Sequence, residues 1–266
     1  MHTFYSDGTS SPQEVVQEAS ERGLACIAIT DHDTLEAVPI AQQEAKNFNI
    51  EIVPGVELST EMDGKDIHLL GYFMDCAHGP LVAALTKAQE GRVLRIQEMI
   101  DKLKKLGVDN IELNEVCALT QSKSVGRPHL AKILKEKGWV VNYQEAFNKY
   151  LAEGAVAYVG KYKISPEDGI RLIRESGGVA VLAHPMCTNR DELIPQFVKA
   201  GLQGVEVYYP NFSEASHVYY EGIARKHNLA MTGGSDAHGK AKENTHIGKV
   251  KIPYELVEEL KKLAKK

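Results

Sequence analysis

The sequence predicts an α/β fold of the barrel type, in which strands and helices alternate along the chain. Six short apolar runs rich in Val, Ile and Ala predict buried strands over residues 24–29, 50–53, 67–73, 179–183, 204–208 and 229–232. Amphipathic segments separate several of these runs, and His, Asp or Glu side chains follow most of them. Such alternation favours a mainly parallel sheet or a barrel, where active sites gather at the carboxyl ends of the strands.

The predicted helices are recognised by their ends. Residues 11–22 are amphipathic, with Pro12 suited to the first helical turn and Gly23 to a C-terminal stop. Residues 81–151 carry only helical patterns, one of them closed by Gly107. Residues 164–175 predict a helix N-capped at Ser165. The end of the chain predicts a final helix with cations in its last turn, namely Lys261, Lys262, Lys265 and Lys266.

These patterns divide the chain into two parts. Residues 1–80 and 155–266 are predicted to form the barrel, and residues 81–154 an inserted helical subdomain that would cap the substrate. With 266 residues and 43% hydrophobic content, the chain can bury a sizeable core.

Charge and cysteine content exclude several classes of protein. A net charge of -5 provides no sequence-wide attraction for a polyanion, so any nucleic-acid contact must come from a local basic patch or bound metal. The sequence has neither a signal-peptide core nor an apolar run near 20 residues, which favours a cytoplasmic protein without membrane insertion. The cysteines form no CxxC pair and suggest neither a disulfide framework nor a cysteine zinc site; they are Cys26, Cys76, Cys117 and Cys187.

Eight His, Asp and Glu side chains are candidate metal ligands. A single His at a strand end is more often a hydrogen-bonded structural residue, and a single Glu an ion-pair partner. Eight such side chains at positions that converge on one face of a barrel favour a shared metal-binding site. Mixed imidazole and carboxylate ligands suit transition metals and predict divalent Mn, Fe or Zn. The candidates are His2, Asp7, His32, Glu57, His68, His184, Asp236 and His238.

The motifs that contain these residues resemble the PHP (polymerase and histidinol phosphatase) superfamily. They are His-Thr-x-x-Ser-Asp-Gly-Thr at 2–9, Thr-Asp-His-Asp-Thr at 30–34, Gly-Val-Glu at 55–57, His-Leu-Leu-Gly-Tyr at 68–72, Ala-His-Pro at 183–185 and Ser-Asp-Ala-His at 235–238. The helical insertion and Gly-Arg-Pro-His at 126–129 resemble the small members that act on nucleoside 3′,5′-bisphosphates and trim short RNAs from the 5′ end. The resemblance implies a distorted (β/α)7 barrel with up to three metals.

The resemblance also implies how the ligands are shared. The first metal would take His2, Glu57 and Asp236, the second Glu57 as a bridge with His68 and His184, and the third Asp7, His32 and His238. Asp31 and Asp33 flank His32 and are expected to orient imidazoles. The alternative is that they cap the following helix.

The start of the sequence departs from the family pattern. The family opens on His-x-His after a short strand, whereas Met1 here stands at the intervening position, before His2. We expect a longer reading frame to supply the first histidine and strand, which upstream DNA encoding that histidine would support. The alternative is that the Met1 amine, with an ordinary pKa of about 8, serves as a neutral nitrogen ligand.

Arg127 and His129 are the candidate phosphate clamp. They flank Pro128 at a predicted helix start, where free N–H groups and the helix dipole favour an anion. The alternative is a surface charge and a packed helix residue. Lys161 and Lys163 are expected either to add charge at the pocket mouth or to be solvated loop lysines.

These residues are compatible with three functions. The first is a hydrolase of phosphoric esters acting on nucleoside 3′,5′-bisphosphates or short RNA 5′ ends, without a membrane or an obligatory protein partner. Its nucleophile would be a hydroxide bridging two metals, since the cations lower the pKa of bound water. The second is a monoester phosphatase of the histidinol-phosphate type. The third is a non-catalytic PHP module.

Overall fold

The computed structural model describes residues 1–160, 164–241 and 245–264. All six predicted strands are present and form one curled sheet in chain order, which confirms the α/β barrel-type fold. The described residues contain six strands, one fewer than the resemblance implies. The strands are β1 Cys26–Ile29, β2 Glu51–Met62, β3 Lys65–Tyr72, β4 Val179–Leu182, β5 Gly204–Tyr208 and β6 Ala230–Gly233.

The sheet is more mixed than the sequence predicted. β1–β2, β4–β5 and β5–β6 pair in parallel, but β3 runs antiparallel to both β2 and β4. The reversal occurs at Asp63 and Gly64, whose φ angles of 52° and 78° are those of a two-residue hairpin turn. Because of this hairpin, β2 extends well beyond the predicted residues 50–53. Glu57 therefore lies inside a strand, and its predicted position at a strand end is wrong.

Eleven α-helices lie in the described part of the chain, with short 3-10 and π turns beside some of them. Ser165 accepts a hydrogen bond from the N–H of Asp168, so the predicted N-cap is confirmed. Ser11, which was not predicted as a cap, accepts one from the N–H of Glu14. The helices are α1 Pro12–Glu21, α2 Ala37–Glu44, α3 Gly79–Lys105, α4 Leu113–Cys117, α5 Arg127–Glu136, α6 Tyr143–Ala146, α7 Pro166–Glu175, α8 Pro185–Thr188, α9 Ile194–Ala200, α10 Glu214–His227 and α11 Glu255–Ala264.

The segment between β3 and β4 has a hydrophobic core of its own. α3 to α6 enclose a cluster of buried side chains that runs from Ile96 to Ala157. The sheet is packed by other clusters, one of which joins Leu58 and Leu69 to Phe197. The helical segment therefore buries its apolar surface largely against itself and presents a separate wall beside the sheet.

The remaining predictions about the chain ends and cysteines have mixed outcomes. Lys261 and Lys262 lie in the last turn of α11, as predicted. Lys161, Lys163, Lys265 and Lys266 lie outside the described residues. The four cysteines are free thiols. In the described part of the chain, no helix combines the length and apolarity needed to cross a membrane.

Candidate metal centre

The eight predicted ligands come together at one end of the sheet. They arrive on separate segments: the N-terminal turn, the loop after β1, the facing strands β2 and β3, and the loops after β4 and β6. Across the β2–β3 ladder, Glu57 is opposite Leu70 and His68 opposite Ser59. The curl of the sheet thus joins side chains that are more than two hundred residues apart in sequence.

Glu57 is the centre of one half of the cluster. Its Oε1 lies 2.6 Å from Nδ1 of His68 and 3.1 Å from Nε2 of His184. Its Oε2 lies 3.0 Å from Nε2 of His2, and that nitrogen is also 3.2 Å from Oδ1 of Asp236. A carboxylate between three imidazoles has the position of a bridging ligand.

Asp7 is the centre of the other half. Its Oδ1 lies 3.4 Å from Nε2 of His238, and its Oδ2 lies 3.8 Å from Nε2 of His32. The ring of His2 stacks on that of His238 with centroids 4.1 Å apart, which joins the two halves.

The donor atoms fit metal ions. Three groups each hold their donor atoms within 4.8 Å of one another: His2 with Asp7, His32 and His238; His32 with Glu57 and His68; and His2 with Glu57 and Asp236. The third group is the set implied for the first metal, and the first group contains the set implied for the third. Within the part of the chain that the structure describes, Nδ1 of His32 is buried without a hydrogen-bond partner. Close-packed carboxylates and imidazoles of this kind suit transition-metal ions.

Electrostatics in the cluster follow from burial and from the mixture of ligands. Burial lowers the pKa of His32 to about 3, so this imidazole is neutral at pH 7. Burial disfavours the charged form of His2 too, but hydrogen bonds to Asp236 and Glu57 outweigh it and raise its pKa to about 10. Burial opposes ionisation of Glu57, yet the imidazoles of His32 and His68 hold its pKa well below the usual range. Glu57 is thus ionised, as a cation ligand must be.

The backbone at the site is strained. Asp33, His184 and Asp236 have φ angles of 51°, 26° and 46°, in the left-handed region that non-glycine residues rarely adopt. Such conformations persist where the surrounding structure over-determines them, and they concentrate at functional sites.

Asp31 fixes the turn that carries His2 and Asp7. Its Oδ1 accepts hydrogen bonds from the N–H of Thr3 at 2.7 Å and the hydroxyl of Ser6 at 2.6 Å. Ser6 Oγ in turn lies 3.4 Å from Nδ1 of His2. The expected orientation of an imidazole by Asp31 is therefore indirect, through Ser6.

The Met1 amine donates hydrogen bonds to the carbonyl of Ala28 and to the hydroxyl of Thr30.

The same turn requires a glycine at position 8. A Cβ on Gly8 would lie 2.6 Å from the carbonyl carbon of His2 and 2.9 Å from the nitrogen of Thr3. Because these are backbone atoms, Gly8→Ala must displace the turn. We expect it to weaken metal binding by about 10- to 100-fold, the usual effect of disturbing the residues that hold metal ligands. Competition with a chelator measures this.

The matched control is Gly222→Ala in α10, where an added Cβ meets nothing within 4 Å. Parent-like metal affinity in Gly8→Ala would show that the turn is not held as described.

Asp33 neither orients an imidazole through a described hydrogen bond nor caps α2, whose N-cap Glu36 makes no side-chain cap hydrogen bond. Its Oδ1 accepts a hydrogen bond from the N–H of Ser59 at 2.8 Å, and its Oδ2 accepts one from Nε of Arg92 at 2.6 Å. Arg92 also donates to the hydroxyl of Ser59 at 2.7 Å. Both expectations for Asp33 are therefore corrected: it joins the loop of His32 to the helical segment.

Removing Arg92 leaves a buried, unpaired carboxylate. The side chains of Asp33 and Arg92 are 1% and 12% exposed. We expect Arg92→Leu to lower the free energy of unfolding by about 3–5 kcal/mol in chemical denaturation. Burial opposes ionisation of Asp33, but Arg92 outweighs it and lowers the pKa. The pair's contribution is thus present above about pH 4, the ordinary aspartate pKa, and is lost as pH falls through the folded value.

The double variant Asp33→Asn with Arg92→Leu removes both charges, and we expect it to be more stable than Arg92→Leu alone. If Arg92→Leu lowers the free energy of unfolding by no more than about 1 kcal/mol, the value typical of an exposed ion pair, then the Asp33–Arg92 pair does not stabilise the fold as a buried pair would.

The residues of the predicted clamp are both close to the cluster but differ in their contacts. Arg127 and His129 line a cavity of about 720 Å³ that also contains Asp7, His68 and His238. Arg127 Nη1 donates to the carbonyl of Leu151 at 3.3 Å, and its Nη2 lies 3.5 Å from Oδ2 of Asp66. His129 is buried, and its Nδ1 accepts the N–H of Gly126 at 2.9 Å.

Several residues of the site were missed by the sequence analysis. Glu206 on β5 accepts the N–H of His184 at 2.8 Å, and burial raises its pKa to about 7. The hydroxyl of Tyr209 donates to Asp236 at 2.8 Å. Arg92 and Arg95 line the cavity from α3. Two features of the sequence could have revealed these residues. One is a carboxylate inside the apolar run 204–208, and the other is the presence of arginines on the face of α3 that carries Ile96 and Met99.

The curled sheet, the cluster and the adjoining cationic cavity define a metal-dependent hydrolase acting on phosphoric esters. Residues 1–91 match the PHP domain. The chain is 33% identical to the 5′-3′ exoribonuclease Rnm of Escherichia coli over 89% of this chain and 83% of that protein. It is 31% identical to a 3′,5′-nucleoside bisphosphate phosphatase of Chromobacterium violaceum, over 93% of this chain and 88% of that protein.

A solved structure from Bifidobacterium adolescentis, assigned to the metal-dependent phosphoesterases, superposes with a TM-score of 0.90 at 27% identity. The superposition covers 98% of this chain and 94% of the solved chain. The chain belongs to the PHP family of metal-dependent phosphoesterases. Membership of an enzyme family, together with the convergence of all eight candidate ligands, removes the basis for the non-catalytic alternative.

Proposed function

We propose that this chain hydrolyses phosphate esters of small nucleotides, namely nucleoside 3′,5′-bisphosphates or the 5′ ends of short RNAs. The observation that carries the proposal is one cavity of about 720 Å³, which is lined both by His68 and His238 of the ligand cluster and by Arg127. It would hold an ester at the ligand cluster together with a second phosphate at Arg127. The exoribonuclease and bisphosphate phosphatase names of the two relatives support the same class of substrate.

Two to three divalent ions, Mn, Fe or Zn, would be held by the eight side chains of the cluster. His2, Glu57 and Asp236 would hold the first ion, Glu57, His68 and His184 the second, and Asp7, His32 and His238 the third. Bound there, the ions would neutralise phosphoryl oxygens and lower the pKa of a coordinated water.

The chain's own contribution is to hold the ligands and align the ester. Asp31 fixes the turn of His2 and Asp7, and Tyr209 orients Asp236. Arg127 would bind the phosphate that is not hydrolysed, because its fork of donors matches phosphate oxygens. His129 would act mainly by holding the start of α5, since its Nδ1 is engaged with Gly126.

We further propose that residues 81–154 cap the substrate over a barrel formed by residues 1–80 and 155–266. The separate buried cluster of the helical segment supports this division. Free thiols at all four cysteines agree with a cytoplasmic location.

The experiment compares two substrates in the presence of Mn²⁺. We expect hydrolysis of a nucleoside 3′,5′-bisphosphate with a higher kcat/KM than that of histidinol phosphate. Arg127→Ala should lower the value for the bisphosphate by about 10- to 100-fold, the effect of one lost charge-assisted contact. The exposed Arg225→Ala is the matched control.

A preference for histidinol phosphate that survives Arg127→Ala would instead support the small-monoester phosphatase. Hydrolysis of neither ester by the parent chain would refute the proposed substrates.

A further inference from the structure

The cavity beside the ligand cluster has an apolar side. Four residues of the helical segment form it, namely Leu119, Pro128, Tyr143 and Phe147. The cavity volume of about 720 Å³ is typical of sites that enclose a whole small molecule. The ligand cluster and Arg127 account for the two phosphates of the proposed substrate, which leaves the apolar side without a role. The part of the substrate between and beside the phosphates must also be placed.

Two aromatic rings give this apolar side its character. Tyr143 begins α6, and Phe147 begins the π turn Phe147–Leu151 that continues it. Residues four apart lie on the same side of a helix, and both rings line the cavity. Tyr143 is 38% exposed, whereas Phe147 is half-buried against the core of the helical segment. Tyr143 and Phe147 thus form an aromatic wall, on a π turn of the kind that occurs frequently at functional sites.

The aromatic wall adjoins the guanidinium that would bind the second phosphate. Cζ of Arg127 lies 5.8 Å from the centre of the Phe147 ring. In a nucleotide, the phosphate and the base are attached to the same sugar. Adjacent sites for a phosphate and for an aromatic base therefore fit a single nucleotide, and a phosphate at Arg127 would bring its own base to the aromatic wall.

The cavity suits the face of a base better than its edge. Its described lining residues include no Asn or Gln, the amide side chains that pair with a donor and an acceptor on a base edge. Every base has a π face, and aromatic side chains stack on that face with little regard to sequence. Rings without neighbouring amides thus favour recognition of bases as a class over recognition of one base.

We propose that Phe147 and Tyr143 bind the nucleobase of the substrate by aromatic stacking, without selecting among the bases. This inference rests on the proposed function and adds the base to the two phosphates that the site would hold. It makes the aromatic wall a specificity determinant. The wall would favour a nucleotide over a sugar bisphosphate of equal charge, a distinction that contacts to phosphate cannot make.

The kinetic test compares a nucleoside 3′,5′-bisphosphate with 1-deoxyribose 3,5-bisphosphate, in which a hydrogen atom replaces the base. Phe147→Leu keeps an apolar side chain but removes the ring. We expect it to lower kcat/KM for the nucleotide by about 5- to 100-fold and to leave the value for the sugar bisphosphate unchanged. Phe147→Tyr keeps the ring and should behave like the parent. Adding Tyr143→Leu to Phe147→Leu should lower the value for the nucleotide further.

The matched control is Phe48→Leu, since Phe48 is half-buried against a different hydrophobic cluster. We expect it to change kcat/KM for neither substrate. An equal loss on both substrates in Phe147→Leu would overturn the proposal, because the ring would then only support the helical segment. No further loss in the double variant would overturn the part assigned to Tyr143.

A second kinetic test compares the four bases in the parent chain. We expect the kcat/KM values for the adenine, guanine, cytosine and uracil bisphosphates to lie within about 10-fold of one another, with the purines ahead because larger rings stack more strongly. A site that hydrogen-bonds one particular base would reject the others far more strongly, by up to about 10⁴-fold. A preference of more than about 10-fold for one base would therefore overturn recognition by stacking.

A binding test separates this inference from the proposed function. In calorimetry with metal-free protein, the parent should bind adenosine 5′-monophosphate more tightly than ribose 5-phosphate. Phe147→Leu should reduce this difference, with far-ultraviolet circular dichroism verifying the fold. If the parent hydrolyses no ester, the proposed function fails, yet this comparison still decides whether the aromatic wall binds a base.

Two results of the binding test would overturn the inference. One is equal affinity of the parent for the two ligands, and the other is an undiminished difference in folded Phe147→Leu. If Phe147→Leu does not fold, Tyr143→Leu provides the decision, because its side chain is more exposed and its replacement disturbs the core less.

Discussion

Glu57→Gln is expected to abolish most of the phosphoesterase activity. The carboxylate contacts the imidazoles of His2, His68 and His184 within 3.1 Å, so its loss affects every metal that those residues share. An amide keeps the size of the side chain but loses its charge and one acceptor oxygen. We expect kcat to fall by more than about 10²-fold, the loss that follows removal of even one preorganised electrostatic group. Steady-state kinetics and metal content per chain are the measurements.

Glu51→Gln is the matched control for this variant. Glu51 lies on the same strand but pairs with Lys261 and Tyr254, away from the metal ligands. We expect it to keep full activity and metal content. Full activity in Glu57→Gln would contradict the assignment of this carboxylate as the shared ligand.

Removing the metals is expected to destabilise the folded protein as well as inactivate it. Without cations, three carboxylates, one buried and two partly buried, lie within one cluster and rely mainly on imidazoles for compensation. Metal at 100 times its dissociation constant adds about 2.7 kcal/mol to the free energy of unfolding by mass action. For a chain of this size, that corresponds to a fall in Tm of roughly 5 to 11 °C after chelation. Thermal denaturation with and without Mn²⁺ measures it.

The Glu57→Gln variant supplies the control for this second prediction. We expect it to show a much smaller change of Tm on addition of Mn²⁺, because its cluster lacks the shared carboxylate. Identical Tm values for the chelated and the Mn²⁺-saturated parent would mean that the cluster does not bind the ion in the folded state.

Much of the fold follows from local sequence patterns. Buried strands need continuous apolar side chains, which is why all six runs correspond to strands in the structure. The direction of β3 was missed, although Asp63-Gly64 is a favoured two-residue hairpin turn that the sequence itself displays. The parallel sheet predicted from the βαβα alternation was therefore only partly correct.

The candidate metal ligands could be named because each one is embedded in a short local motif. The contacts around them depend on tertiary structure. Nothing local to Asp33 indicates that its partner is Arg92, 59 residues away on α3. Likewise, Arg95 becomes notable only through its burial and through Nη2, which has no hydrogen-bond partner among the described residues. The candidate ligands could be named from the sequence, whereas the contact between Asp33 and Arg92 that joins the helical segment to the loop of His32 required the structure.

The separate hydrophobic core of the helical segment has a consequence for the order of folding. Its buried residues span only 96–157, so its contacts are local. The metal centre instead needs the first and last thirds of the chain together, as in the hydrogen bond from the N–H of His2 to the carbonyl of Ala237. Local contacts form faster than distant ones. During refolding, helical circular dichroism should therefore appear before the chain acquires its capacity to bind Mn²⁺.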